Sequence, residues 1–219
     1  MPEEPVPWRW ATRLVFRFVF SYLMLYSLYT YDGLLTFLRF MVTGKFSDGF
    51  LDPVAHHIVP WAAKYLLHLP KDITVFSNGS GDTTYDWVLV LCELVLALAA
   101  AAVWSALDGK RPDYRRLHAW LRLLVRLELA SEMLLYGFDK VFTRQFGDLT
   151  IGRLVVPFGS LTPFGLLWAF MAASKGYTIF SGLAEVLGGV LILIPRLTSL
   201  GALISGWSAG QRLRAEHEL

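Results

Sequence analysis

Seven ionisable side chains stand inside stretches that are otherwise apolar enough for lipid: Arg17, Glu93, Arg122, Arg126, Glu128, Glu132 and Glu185. A charge in hydrocarbon is expensive, so such residues are held against one another, against backbone carbonyls or in a wet cavity. Arg122 and Arg126 are one helical turn apart and share a face. Glu128 and Glu132 share another, with Asp139 about two turns further on. The two stripes point in different directions, so each must find its neighbour elsewhere, and arginine–glutamate pairing between helices is expected. The set can serve as a proton path or a polar ligand pocket, or as ion pairs that fix helix packing. Both readings stand, and no catalytic residue is assigned.

Gly182, Glu185 and Gly189 fall at i, i+3 and i+7, with Ala184 and Gly188 beside them. Small residues let a neighbouring backbone approach, so Glu185 is expected where two helices touch. Lys175 and Tyr177, at a break before that segment, and Lys140 and Gln145 are candidates for a pocket entrance. Anchoring at the membrane interface is the plainer reading for Lys175 and Tyr177. Five histidines raise haem, but only His118 lies at a candidate span, and at its end. Cys92 is the single cysteine, which excludes an internal disulfide, a CxxC pair and Cys-ligated clusters. No metal set is expected. The Gly79–Asp82 run lacks the lysine of a phosphate loop, so a helix-entry turn accounts for it.

The elements that must position these residues are membrane spans. Hydrophobic residues make up 55% of the 219, charged residues only 17%, and the charge balance is 20 basic to 18 acidic. A chain this size cannot hide such a surplus in its own core, so lipid must cover part of it. Disorder, a coiled coil and a disulfide scaffold are excluded, and the near-neutral balance excludes nucleic acid as a partner. Spans are expected at about 12–31, 85–107, 117–141 and 177–194. Thr83 with Asp86 three residues later should cap the second. Within its length the third carries Arg122, Arg126, Glu128 and Glu132, each costing about 2.5–3.5 kcal/mol at mid-membrane, against about 0.5 returned per leucine. It crosses only if its charges face other helices or water; the alternative is a surface helix.

Between the first two spans, Leu34–Met41 and Val59–Leu69 are short, punctuated by Pro53, Pro60 and Pro70, and read as interfacial helices. Thr162-Pro163 is a helix start, and the following apolar piece is too short to cross. Leu197–Ala209 is a short fifth apolar segment, read either as truncated or as folded back along the interface. The basic residues of the 108–116 loop, with Arg9 and Arg13, favour a cytoplasmic N-terminus.

Several segments together resemble the DoxX-like family of bacterial membrane proteins. They are Tyr136-Gly137-x2-Lys140-Val141-Phe142-x2-Gln145-Phe146, Pro163-x-Gly165-Leu166-Leu167-Trp168-x-Phe170-Met171, Tyr177-Thr178-x-Phe180-x-Gly182-x2-Glu185-x2-Gly188-Gly189 and Arg196-x-Thr198-x2-Leu200-Gly201-Ala202-Leu203. The match covers roughly residues 117–205, and Gly79–Thr84 also looks like larger members. The resemblance implies a four-helix membrane core, and some relatives are linked to thiosulfate:quinone oxidoreductase complexes. Larger members continue through further helices where this chain departs.

The expectation is an all-α membrane protein: a polar segment 1–11, a transmembrane four-helix bundle over 12–209 with interfacial helices, and a polar tail 210–219. It is placed in the bacterial inner membrane, multi-pass. Its expected role is a non-catalytic subunit or a bundle that binds a small molecule or lipid. The alternative is a membrane subunit of a quinone-linked oxidoreductase with a membrane or soluble redox partner. No cofactor is predicted; quinone is the one the alternative would bring.

Overall fold

The structure, a computed structural model, describes residues 7–29, 42, 51–70, 73–75, 83–161 and 163–206. Every regular element among them is helical. Among the described residues three helices are long and apolar enough to cross a membrane: Trp10–Leu28, Thr84–Leu107 and Lys175–Leu193. The chain divides into two compact units, Met1–Val125 and Arg126–Leu219.

The first unit contains α1 (Trp10–Tyr29), α2 (Asp52–Tyr65), α3 (Thr84–Leu107) and the first turns of α4 (Arg115–Val141). The capping box read from Thr83 and Asp86 is formed. The Asp86 amide donates to Thr83 Oγ1 at 3.2 Å, and the Thr83 amide donates to Asp86 Oδ2 at 2.9 Å. Two otherwise orphaned donors are thereby satisfied where α3 begins. From there 24 residues run as one helix, about 36 Å at 1.5 Å rise. α1 packs along it. α1 begins two residues before the expected span, because the Arg13 amide already donates to the Arg9 carbonyl at 3.1 Å. The expected end of that span at residue 31 lies outside the described residues.

α2 departs from expectation. The prolines were read as punctuation, yet the helix starts at Asp52, takes Pro53 in its first turn and runs through Pro60. Proline is tolerated in a first turn, where its missing N–H has no helical partner anyway. At Pro60 one helical hydrogen bond is forgone. Packing outweighs it: Ala55, Val59 and Ala63 bury against Tyr85 and Val88 at the start of α3. The opposite face, with Ile58, Trp61 and Tyr65, is exposed. The Leu34–Met41 helix and residues 79–82 lie outside the described residues.

The second unit contains the rest of α4, the short α5 (Ile151–Leu154), a 3-10 turn (Phe158–Ser160), α6 (Pro163–Ala173), α7 (Lys175–Leu193) and α8 (residues 198–206). α6 has 11 residues, too few to cross. α7 starts two residues earlier than expected because Ser174 caps it, its hydroxyl accepting from the Tyr177 amide at 3.3 Å. Lys175 and Gly176 are therefore first-turn residues rather than a break. α6 packs against α7, and its residues Leu167, Met171 and Ala172 bury together with Phe146 from the segment after α4. The described part of the fifth apolar segment is α8; residues 207–219 lie outside the description.

Candidate functional site

α7 owes its position to its glycines. A Cβ on Gly182 would stand 2.7 Å from the Gly137 carbonyl oxygen, 2.7 Å from Lys140 Cβ and 2.9 Å from the Val141 nitrogen. One on Gly189 would stand 3.2 Å from the Ala130 carbonyl oxygen and 3.1 Å from Leu134 Cγ. Higher numbers on α7 thus meet lower numbers on α4, so the two helices run antiparallel with backbones in contact. On another side, a Cβ on Gly188 would meet Ser205 Oγ at 2.5 Å, and one on Gly201 would meet the Ile192 nitrogen at 2.6 Å. α7 is thus held between α4 and α8 by residues with no side chain to keep them apart.

Glu185 sits inside this sandwich and forms an ion pair with Lys140, both side chains 0% exposed. The Lys140 ammonium also lies 5.8 Å from the centroid of the Tyr136 ring, a cation–π distance. Glu128, Glu132, Tyr136 and Lys140 recur at four-residue steps, so they share one face of α4. Glu128 is buried and Glu132 half-buried.

A second polar centre lies in the first unit. Arg17 is 2% exposed. Its Nη1 donates to Ser105 Oγ at 2.8 Å and its Nη2 to the Asp108 carbonyl at 2.6 Å. Nε and Nη2 donate to the Tyr114 hydroxyl at 3.0 and 2.8 Å, and that hydroxyl donates to Asp108 Oδ2 at 2.9 Å. Phe16 stacks on Tyr114 with centroids 5.3 Å apart, and Trp104 meets it edge-on at 5.3 Å. Arginine–glutamate pairing is not how Arg17 is satisfied: hydroxyls and a carbonyl take its protons. Ser105, Asp108 and Tyr114 were not singled out by sequence. Tyr114 lies in a loop, where no periodicity marks it.

The remaining candidates are dispersed. Glu93 is buried on α3. Arg122 is exposed; Arg126 is half-buried, and its enclosed Nε has no hydrogen-bond partner among the described residues. Of the four entrance residues, Lys140 is sealed in the ion pair, because α7 closes over it at Gly182. Gln145 is half-buried with an enclosed Oε1, and Tyr177 is exposed with its ring 6.0 Å from Phe170. Lys175 does line a shallow cleft, with Thr143, Phe146, Met171 and Thr178. It pairs at 2.7 Å with Asp148, both side chains exposed. That hydrogen bond and charge hold the Asp148 carboxyl below its ordinary range. Among the described residues no three metal-ligating side chains gather.

No family model matches the chain, and neither does any solved structure. Over 79 residues, 36% of the chain, it is 40% identical to the uncharacterized protein YwoB of Bacillus subtilis (strain 168). That stretch is 49% of YwoB, so the chain matches about half the length of this curated relative. The likeness brings no activity with it.

Proposed function

We propose that the chain is a multi-pass protein of the bacterial inner membrane, a four-span bundle that works as a non-catalytic membrane subunit. The observation that carries this reading is the Lys140–Glu185 pair. A lysine and a glutamate, fully enclosed between glycine-packed helices, tie one helix to the next. The Arg17 centre uses its charge in the same way, joining α1 to the end of α3 and the loop beyond it. Both are arrangements for holding helices rather than for presenting a reactive group.

The fourth span in this reading is α4. Its residues 130–141 lie antiparallel against the apolar α7 at backbone-contact distance, and their most polar residues share one face. That supports crossing beside α7 in spite of the charges. The cytoplasmic N-terminus rests on the cluster of basic residues at the start of α1 and in the 108–116 loop. The DoxX-like resemblance of residues 117–205 enters as an analogy of architecture.

Mass spectrometry of what copurifies with the full chain from membranes tests the role. Phospholipid and partner polypeptides without a redox-active molecule are the expected result. A quinone retained at one per chain would sink the non-catalytic reading and put the quinone-linked oxidoreductase subunit in its place. A chain recovered wholly in the soluble fraction would sink both.

A further inference from the structure

We infer that the end of the first unit where α1 begins and α3 ends is a docking surface for anionic phospholipid headgroups. Residues 7–17 and 108–116 meet there: the Trp8 amide donates to the Pro112 carbonyl at 3.0 Å, and Arg13 Nη1 to the Arg111 carbonyl at 2.7 Å. The two stretches contain seven basic residues and only two acidic ones, Asp108 and Asp113. Both carboxylates are already engaged. Asp108 accepts from Tyr114 and faces Arg111 at 3.9 Å, and Asp113 pairs with Arg115 at 3.3 Å. Arg9, Lys110 and Arg116 are exposed and have no carboxylate partner among the described residues.

Three features turn this surplus into a surface for lipid. The loop is tied down by Trp8, Arg13 and Arg17, so its cations stand on a fixed platform and lose little freedom when a headgroup binds. The platform sits at the end of two helices of membrane-crossing length, which is where phosphates lie. Trp10 and Trp120, each 68% exposed, flank it, and Trp120 shares a face of α4 with Arg116 one turn earlier. Tryptophan prefers headgroup depth, and basic clusters beside a span attract anionic lipid. The opposite end of α3 contrasts with this one: there α2 presents Ile58, Trp61 and Tyr65, with Lys64 its only lysine or arginine.

This inference rests on the chain being embedded in the membrane, and the test separates the two. The full chain is placed in lipid nanodiscs of equal phosphatidylcholine and phosphatidylglycerol, and retained lipids are counted by native mass spectrometry. Failure to enter the bilayer overturns the membrane reading. Entry without a phosphatidylglycerol preference overturns this one. The expected result is a preference that falls about tenfold in the triple variant Arg9→Gln, Lys110→Gln, Arg116→Gln. The exposed control set Arg144→Gln, Arg153→Gln, Arg196→Gln should keep it. Equal loss in both sets would mean a general charge effect, and a preference undiminished in the first set would place the lipid elsewhere. Should the first set lose helix content, the wild type decides: its preference should weaken as salt rises to about 0.5 M, where screening is short-ranged, and a salt-independent preference overturns the inference.

Discussion

Lys140 and Glu185 meet with both side chains sealed from solvent, 45 residues apart in the chain and on antiparallel helices. Neither charge would be tolerable there alone. Removing one partner of such a pair typically costs about 3–5 kcal/mol, because the other is left buried and uncompensated, whereas an apolar pair of similar size is often neutral. Glu185→Leu and Lys140→Met should each lower stability in detergent unfolding by that order. The double variant should recover most of the loss. Additive losses would show that the two side chains do not depend on each other.

Gly182 is expected to accept no side chain. Its Cβ would run into the Gly137 carbonyl and the Val141 nitrogen, which are backbone and cannot step aside. Gly182→Ala should therefore push α7 off α4 and cost about 1–3 kcal/mol. Gly176 has nothing within 4 Å of the same position. Gly176→Ala, in the first turn of α7, should be neutral or stabilising by about 0.4–1 kcal/mol. Parallel thermal denaturation of the two variants checks the contrast, and equal losses would contradict it.

Tyr114→Phe isolates one hydroxyl of the Arg17 centre. The ring stack on Phe16 stays, while Arg17 loses an acceptor and Asp108 a donor. Leaving a buried donor unmet costs about 1–3 kcal/mol. The loop should also loosen, so hydrogen exchange should rise across residues 108–116 and not in the second unit. Uniform exchange across both units would argue against a local role.

Asp148 gives a test by pH. Lys175 holds its carboxyl below the usual 3.8. A group lowered in the folded state contributes above its unfolded value, and that contribution disappears as pH falls through the folded one. The Asp148–Lys175 tie should therefore be complete at neutral pH and lost only under strongly acidic conditions. Both side chains are exposed, so high salt should weaken it as well. Lys175→Met should return the Asp148 titration, followed by NMR, to the ordinary aspartate range; an unchanged titration would rule out Lys175 as the cause.

Local chemistry was legible in the amino-acid sequence. The apolar runs of α1, α3 and α7 are determined by composition over about 20 residues, and the Thr83–Asp86 cap by two residues three apart. The glycine spacing marked α7 as a helix with a close neighbour, and Glu185 as the residue at that contact. The identity of the partner was not legible. Lys140 stands near the end of α4, a position suited equally to an entrance or an interfacial anchor. It becomes an internal countercharge only because Gly182 brings α7 against it. Arg17 is the same case: charge alone asked for a carboxylate, but the fold brought Ser105, Tyr114 and the Asp108 carbonyl within reach. Pro60 reads as a break until the contacts of Val59 and Ala63 with Tyr85 and Val88 outweigh one missing hydrogen bond. Caps and apolar runs depend on neighbours a few residues away, so sequence determines them. A buried charge is satisfied by whatever chain folding brings to it, and only the tertiary structure decides that.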